Sequence, residues 1–166
     1  ATGGASWNDQ GQILISLQNP GPLVLIPAAG GTPKPATLLK PGELDHDWPQ
    51  FLDDGVHFLY MVRGRTAATN KVYLASLASP EQTLLLEGVS AFAYASPDRV
   101  LTLGNGGLLA RVLDVKRAAL VGAPVALAEN ALPPNPLRPR ESSRPFEYNP
   151  ELDFTKPSDD SPIRKG

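Results

Sequence analysis

One pattern recurs along this chain and leaves few folds open to it. Ser6-Trp7-Asn8-Asp9-Gln10-Gly11-Gln12-Ile13-Leu14-Ile15-Ser16 places an aromatic ahead of an Asp and Gly turn, then a β-favouring run. Gln50-Phe51-Leu52-Asp53-Asp54-Gly55-Val56-His57-Phe58-Leu59-Tyr60 repeats that order, with Phe51, Asp53 and Gly55 each 44 residues after Trp7, Asp9 and Gly11. A weaker third copy runs from Ala93 to Leu103 and sets Tyr94 another 43 residues on. Asp and Gly tolerate left-handed backbone, so they suit the tight turn of a hairpin.

Each of these hairpins is followed by a third apolar run: Pro22–Ile26, Lys71–Leu77 and Leu108–Leu113. After a turn of small or breaking residues, such as Ala28-Ala29-Gly30-Gly31-Thr32-Pro33, a short outer run follows: Ala36–Leu39, Gln82–Leu86 and Pro124–Leu127. Such runs are too short for helices and rich in Val, Ile, Leu and Tyr, which reads as strands. Four strands per unit, repeating every ~40–45 residues, is the pattern of propeller blades. The expected fold is all-β: about three four-stranded antiparallel blades of an incomplete β-propeller, near residues 3–43, 44–88 and 89–129. The 18 prolines and 15 glycines break long helices and favour strands joined by turns. With 42% hydrophobic residues the chain has enough apolar surface for a core.

Composition also removes several functions. The chain has no cysteine, which excludes disulfides, thiolate zinc sites and cysteine nucleophiles. A net charge of −2 gives no long-range attraction to nucleic acid or an anionic membrane. No apolar run approaches the ~20 residues of a transmembrane helix. The sequence opens at Ala1 with neither an initiator methionine nor a basic-apolar leader, which fits a processed protein or a piece of a longer one.

The stretch Asp45-His46-Asp47-Trp48-Pro49-Gln50-Phe51-Leu52-Asp53-Asp54-Gly55-Val56-His57-Phe58-Leu59-Tyr60 resembles the TolB-type, WD40-like propeller repeat. Its closest version is the one attached to membrane-anchored bacterial Ser/Thr kinases and transcriptional regulators. Ile26–Pro33 and Gly122-Ala123-Pro124-Val125 look like the same family, and the likeness covers about residues 3–129. That resemblance implies an extracytoplasmic propeller, periplasmic or at the membrane surface, that scaffolds or binds and has no assigned catalysis. Two departures stand out: there is no kinase glycine-rich loop with its lysine and no HRD-like triplet, and the family carries about six blades.

Residues 130–166 form a different region, with eight prolines among balanced acids and bases. Proline biases such a segment toward extended, polyproline-like backbone. Its spaced apolar residues, above all Leu137, Phe146, Tyr148, Leu152 and Phe154, alternate as an extended clamp onto a partner would. The segment is read as an extended proline-rich arm with those five residues as partner-binding anchors.

No residue pattern points to catalysis, a cofactor or a metal. Asp45-His46-Asp47 has the residue types of an acid–base or metal site, but neighbouring side chains point apart, and polar caps at a blade's start explain it better. His57, between Val56 and Phe58, reads as a structural histidine, and Asp53-Asp54 as turn chemistry. Gly104-Asn105-Gly106-Gly107 has no helix after it and reads as a hairpin turn rather than a phosphate cradle. Arg63 and Arg65 are expected in a loop, and Trp7 and Trp48 in the blade core.

Propellers close because each blade covers its neighbours, so three blades leave two apolar sheet faces open. Exposed sheet of that kind is an association surface. The functional expectation is a non-catalytic structural or protein-interaction subunit that braces a larger, membrane-associated extracytoplasmic complex. Its partners would be other protein subunits or copies of itself. The alternative is a sensor or ligand-binding fragment of a kinase-type receptor.

Overall fold

The apolar runs form twelve strands in the computed structural model, which describes residues 3–104 and 107–128. Blade 1 contains β1 (Ala5–Trp7), β2 (Gln12–Ser16), β3 (Leu23–Pro27) and β4 (Lys34–Pro35). Blade 2 contains β5 (Asp45–Phe51), β6 (His57–Arg63), β7 (Lys71–Ser76) and β8 (Ser79–Glu87). Blade 3 contains β9 (Ala91–Ala95), β10 (Arg99–Gly104), β11 (Gly107–Asp114) and β12 (Ala119–Ala128). Each is a separate four-stranded sheet whose strands pair in chain order, every pair antiparallel. The all-β, three-blade reading holds. All the described residues fall in one compact unit, Ala1–Pro134. The five arm anchors, Leu137, Phe146, Tyr148, Leu152 and Phe154, lie outside the described residues, as do Asn105 and Gly106 of the Gly104–Gly107 turn.

Two apolar layers hold the sheets together, and the two-residue period of a strand explains both. In β6, Phe58, Tyr60 and Val62 join Leu14 and Leu23 of blade 1, together with Phe51, Tyr73 and Ala75. The alternate residues Leu59 and Met61 join Val72, Leu74, Phe92, Val100 and Leu113 on the side of blade 3. Both faces of blade 2 are therefore interior, and β6 reads as a continuous apolar run because of it.

Hydrogen bonds repeat at the same place in both layers. Phe51 N donates to Ser6 Oγ across 2.9 Å. Tyr94 N donates to Gln50 Oε1 across 2.6 Å. In each case the residue just before one blade's aromatic accepts from the amide of the next blade's aromatic. Asn8 Nδ2 also donates to Gly55 O, and Ser96 Oγ to Asp53 Oδ2, joining neighbouring turns.

The outer strands depart from the sequence reading. β4 is Lys34–Pro35 rather than Ala36–Leu39. Ala36 N and Thr37 N both turn back to Leu23 O, and Thr37 Oγ1 accepts from Leu23 N at 2.9 Å, so a side chain ends the ladder early. β8 and β12 run longer than expected because register shifts opposite Ala75/Ser76 and Ala110/Val112 absorb Pro80 and Pro124. A proline cannot donate to a ladder, and a bulge removes the need.

The two tryptophans are corrected as well. Trp7 is 66% exposed and Trp48 40%, so neither is a core residue. Trp7 pairs with Ile13 and shares its face, which carries no blade among the described residues. Trp48 sits in a bulge between Asp47 and Gln50, and its φ of 49° turns it out of the pleat.

Candidate functional site

Chemistry-bearing side chains concentrate where blades 1 and 2 meet, at the start of β5. Asp45 and Asp47 are both buried and share Arg63 from the end of β6. Arg63 Nη2 donates to Asp45 Oδ2 at 3.0 Å, and its Nε lies 3.1 Å from Asp47 Oδ2. The second contact is a charge pairing that makes no hydrogen bond, since Asp47 Oδ2 has no donor in bonding geometry. Arg63 thus lies in the sheet and not in a loop, because only the end of β6 lets it reach back over both carboxylates. Asp45 Oδ1 also accepts from Gly21 N at 3.1 Å, and Asp47 Oδ1 from Ser16 Oγ at 3.3 Å. Burial, then the nearby Asp45 carboxylate, raises the Asp47 pKa above the usual aspartate value, while Arg63 opposes the rise.

His46 points elsewhere, as neighbouring side chains must. It is wholly buried and packs at 4.9 Å against the Tyr60 ring. The Glu43 carboxylate can only accept, so His46 Nε2–H donates to its Oε2 at 3.1 Å. In the neutral ring Nδ1 is then bare and accepts from the Thr37 hydroxyl, 2.7 Å away, while Thr37 Oγ1 accepts from Leu23 N. Burial lowers the His46 pKa, and the Glu43 carboxylate pulls the other way. Every polar atom of the imidazole is thus engaged in tying blade 2 to blade 1. Among the described residues no three His, Asp or Glu side chains are placed to share a metal ion.

The close fit extends to the backbone. Trp48 N donates to Gly3 O, and a Cβ at residue 3 would collide with the Asp47 carboxylate. Gly3 is required there because the chain crosses directly over the triplet. The triplet is thus a polar fastener. His57 is held locally, its Nδ1 2.5 Å from Asp54 Oδ2, and Asp54 Oδ1 accepts from Val56 N and His57 N as turn chemistry requires.

A groove of about 720 Å³ opens at the outer rim between blades 1 and 2. Leu25, Ala36, Leu38, Leu77 and Pro80 line it, with Lys34 and Lys40 at its edge. Lys40 Nζ sits 5.3 Å over the Tyr73 ring.

Two sheet faces carry no covering blade among the described residues. Opposite its covered face, blade 1 presents Trp7, Ile13, Ile15, Val24 and Ile26, which pair across the strands as Trp7–Ile13, Ile13–Ile26 and Ile15–Val24. Blade 3 presents Leu101, Leu103, Leu108, Ala110 and Val112 on the side away from blade 2, joined by Val125, which pairs with Ala110 and is 60% exposed. The blade 1 row contains no charge, and on blade 3 the charges stand only at one end of the row, where Arg99 pairs with Val112 and Asp114 follows on the same face of β11.

This arrangement has a solved counterpart. The chain is similar to the β-propeller domain of the Trilobed protease from Pyrococcus furiosus, a structure described as having an open velcro topology. The two agree with a TM-score of 0.51 at 9% identity, over 76% of this chain and 43% of that one. The likeness shows a shared propeller fold, and the chain spans less than half of that domain's length. No family model and no curated protein matches the sequence. The class is therefore set by fold alone: the described residues are three blades of a β-propeller type.

Proposed function

We propose that this chain is a non-catalytic protein-interaction module, a partial propeller whose two open sheet faces are its binding surfaces. The observation that carries the reading is Trp7. It occupies the position of Phe51, which in blade 2 is covered by blade 1, yet Trp7 is 66% exposed on an uncharged row of Ile13, Ile15, Val24 and Ile26. A face of that composition is stable in water only with a partner over it. The partner is a protein with an apolar sheet of its own, because the face is shaped to receive one. On this reading the module braces a larger assembly. Its placement outside the cytoplasm, at a membrane surface, rests on the resemblance of Asp45–Tyr60 to the TolB-type repeat and accords with the lack of cysteine.

A photo-crosslinking amino acid placed at position 7, and separately at position 103, tests this in the cell that makes the protein. Covalent adducts of discrete mass are expected from both positions. Absence of adducts from both, with the chain folded and abundant, would falsify the interaction reading. Recovery of the adducts in the cytoplasmic fraction would overturn the placement alone.

A further inference from the structure

We infer that the partner is a second copy of this chain, docked head to tail, with blade 3 of each copy on blade 1 of the other. The inference rests on the interaction reading above and names its partner. The ground for it is that the two open faces are the two halves of one interface that the chain already makes twice. At the first internal interface, blade 1 offers Leu14 and Leu23, and blade 2 receives them with Phe51, Phe58 and Tyr60. At the second, blade 2 offers Leu59, Met61, Val72 and Leu74, and blade 3 receives them around Phe92, Val100 and Leu113.

The strand registers carry this equivalence onward. Phe58 lies opposite Phe51, and Ile13 opposite Trp7, so Trp7 and Ile13 form a receiving face. Leu59 lies opposite Gln50, and Leu101 opposite Ala93, so Leu101 and Leu103 form an offering face. Among the described residues each copy therefore has one uncovered face of each kind, the receiving one without charge and the offering one charged only at its end, at Arg99 and Asp114. Such a contact is heterologous, and it closes only if the rotation does. Two copies of three blades close a ring of about six, within the usual range for propellers. The solved propeller that this chain resembles is likewise more than twice its matched span.

One element of the internal interfaces is missing from the new one. Ser6 and Gln50 accept from the amide of the next blade's aromatic, but the matching residue of blade 3 is Ala93, which has no acceptor. The contact between copies is thus weaker than either contact within a copy, as suits a dimer that assembles and parts. Supplying the acceptor should strengthen it.

The test uses the full chain with Trp48→Phe, which leaves Trp7 as its single tryptophan. Sedimentation velocity and tryptophan emission are followed on dilution through the micromolar range. A dimer is expected that dissociates on dilution, with Trp7 emission shifting to the red as it does. Leu103→Glu, two blades from Trp7 in its own chain, should abolish both the dimer and the shift. Trp7→Gln with Ile15→Glu should abolish the dimer from the other side. Mixing these two variants should restore a dimer, because one intact offering face then meets one intact receiving face. Ala93→Gln should tighten the dimer about 5- to 100-fold, the worth of two neutral hydrogen bonds, one at each of its two contacts. Ala93 is exposed, so this last variant reads out even if the charged ones unfold.

A dimer indifferent to Leu103→Glu, or one whose two variants fail to complement, would overturn the head-to-tail arrangement. A monomer at all concentrations whose cross-links reach only other proteins would sink the second-copy inference and leave the interaction reading standing. A monomer with no cross-links at all would end both.

Discussion

Blades 1 and 2 are written in nearly the same residues, yet one is a surface and the other an interior. Trp7 and Phe51 hold the same place before the same kind of turn, and one is 66% exposed while the other is buried. Ile13 and Phe58 lie opposite them in register, the first half-exposed and the second fully buried. What separates the pairs is the presence of a neighbouring sheet, and that changes what each side chain contributes.

The sharpest way to break this comparison is to truncate the matched pair. Phe58→Ala should cost about 4 kcal/mol, since it removes a large side chain from the layer between blades 1 and 2 and leaves a cavity. Ile13→Ala should cost about 1 kcal/mol in dilute solution, because its atoms are only half removed from water. Urea unfolding of both variants checks this, and equal losses would mean that the open face of blade 1 is already covered. If a second copy covers it, the cost of Ile13→Ala should grow with protein concentration.

The fastener between these two blades comes next in size. Arg63→Met leaves the carboxylates of Asp45 and Asp47 buried without their cation. Breaking a buried pair in this way costs several kcal/mol. Arg63 is itself 41% exposed, so water screens part of the loss, and about 2 kcal/mol is expected near neutral pH. The deficit should shrink in acid as Asp47, whose pKa is raised by burial, takes up a proton. A deficit that stayed constant from neutral pH into acid would mean that Arg63 acts by packing alone.

His46 sets the pH response of the same junction. Its folded pKa lies below the ordinary 6.5 because burial disfavours the imidazolium. Below that value the unfolded chain binds the proton more readily than the folded one. Stability is therefore whole above about 6.5 and falls as the pH drops toward the lower folded pKa, where the loss levels off. A single proton bounds the slope at about 1.4 kcal/mol per pH unit. His46→Gln should lose that slope. Persistence of the slope in His46→Gln would mean that it does not come from this imidazole.

Much of this was legible in the chain itself. The aromatic, Asp and Gly spacing announced blades, and the short apolar runs supplied the inner strands. Which face each residue takes was not legible, and the reason is a single residue. Six positions separate Trp7 from Ile13, but seven separate Phe51 from Phe58. Aligning Gly11 with Gly55 therefore matches Leu14 with Phe58, which lie on opposite faces of their blades, since a one-residue slip reverses a strand. The expected burial of Trp7 failed because it depended on a covering sheet that no local pattern encodes. Arg63 looked like a loop residue because its partners are 18 and 16 positions earlier in the chain. The Thr37 hydroxyl ended β4 through a contact with Leu23 that spacing could not foretell.

The smallest expected effect concerns a group that the blade 1–2 layer buries without using. Tyr60 is fully buried in that layer, stacked at 5.7 Å on Tyr73 and tilted against Phe58 and His46. Its hydroxyl makes no hydrogen bond to any described residue, and burial pushes its pKa well above the ordinary tyrosine value. An unpaired buried hydroxyl costs more than it returns, whereas a ring of the same shape keeps every aromatic contact. Tyr60→Phe should therefore leave stability unchanged or raise it by up to about 1 kcal/mol. The equivalent residue of blade 1 by register is Ile15, which has no polar atom to strand and lies half in solvent. If Tyr60→Phe instead destabilised the chain by more than about 1 kcal/mol, the hydroxyl would have a partner, and the layer between blades 1 and 2 would hold a polar contact like those of His46.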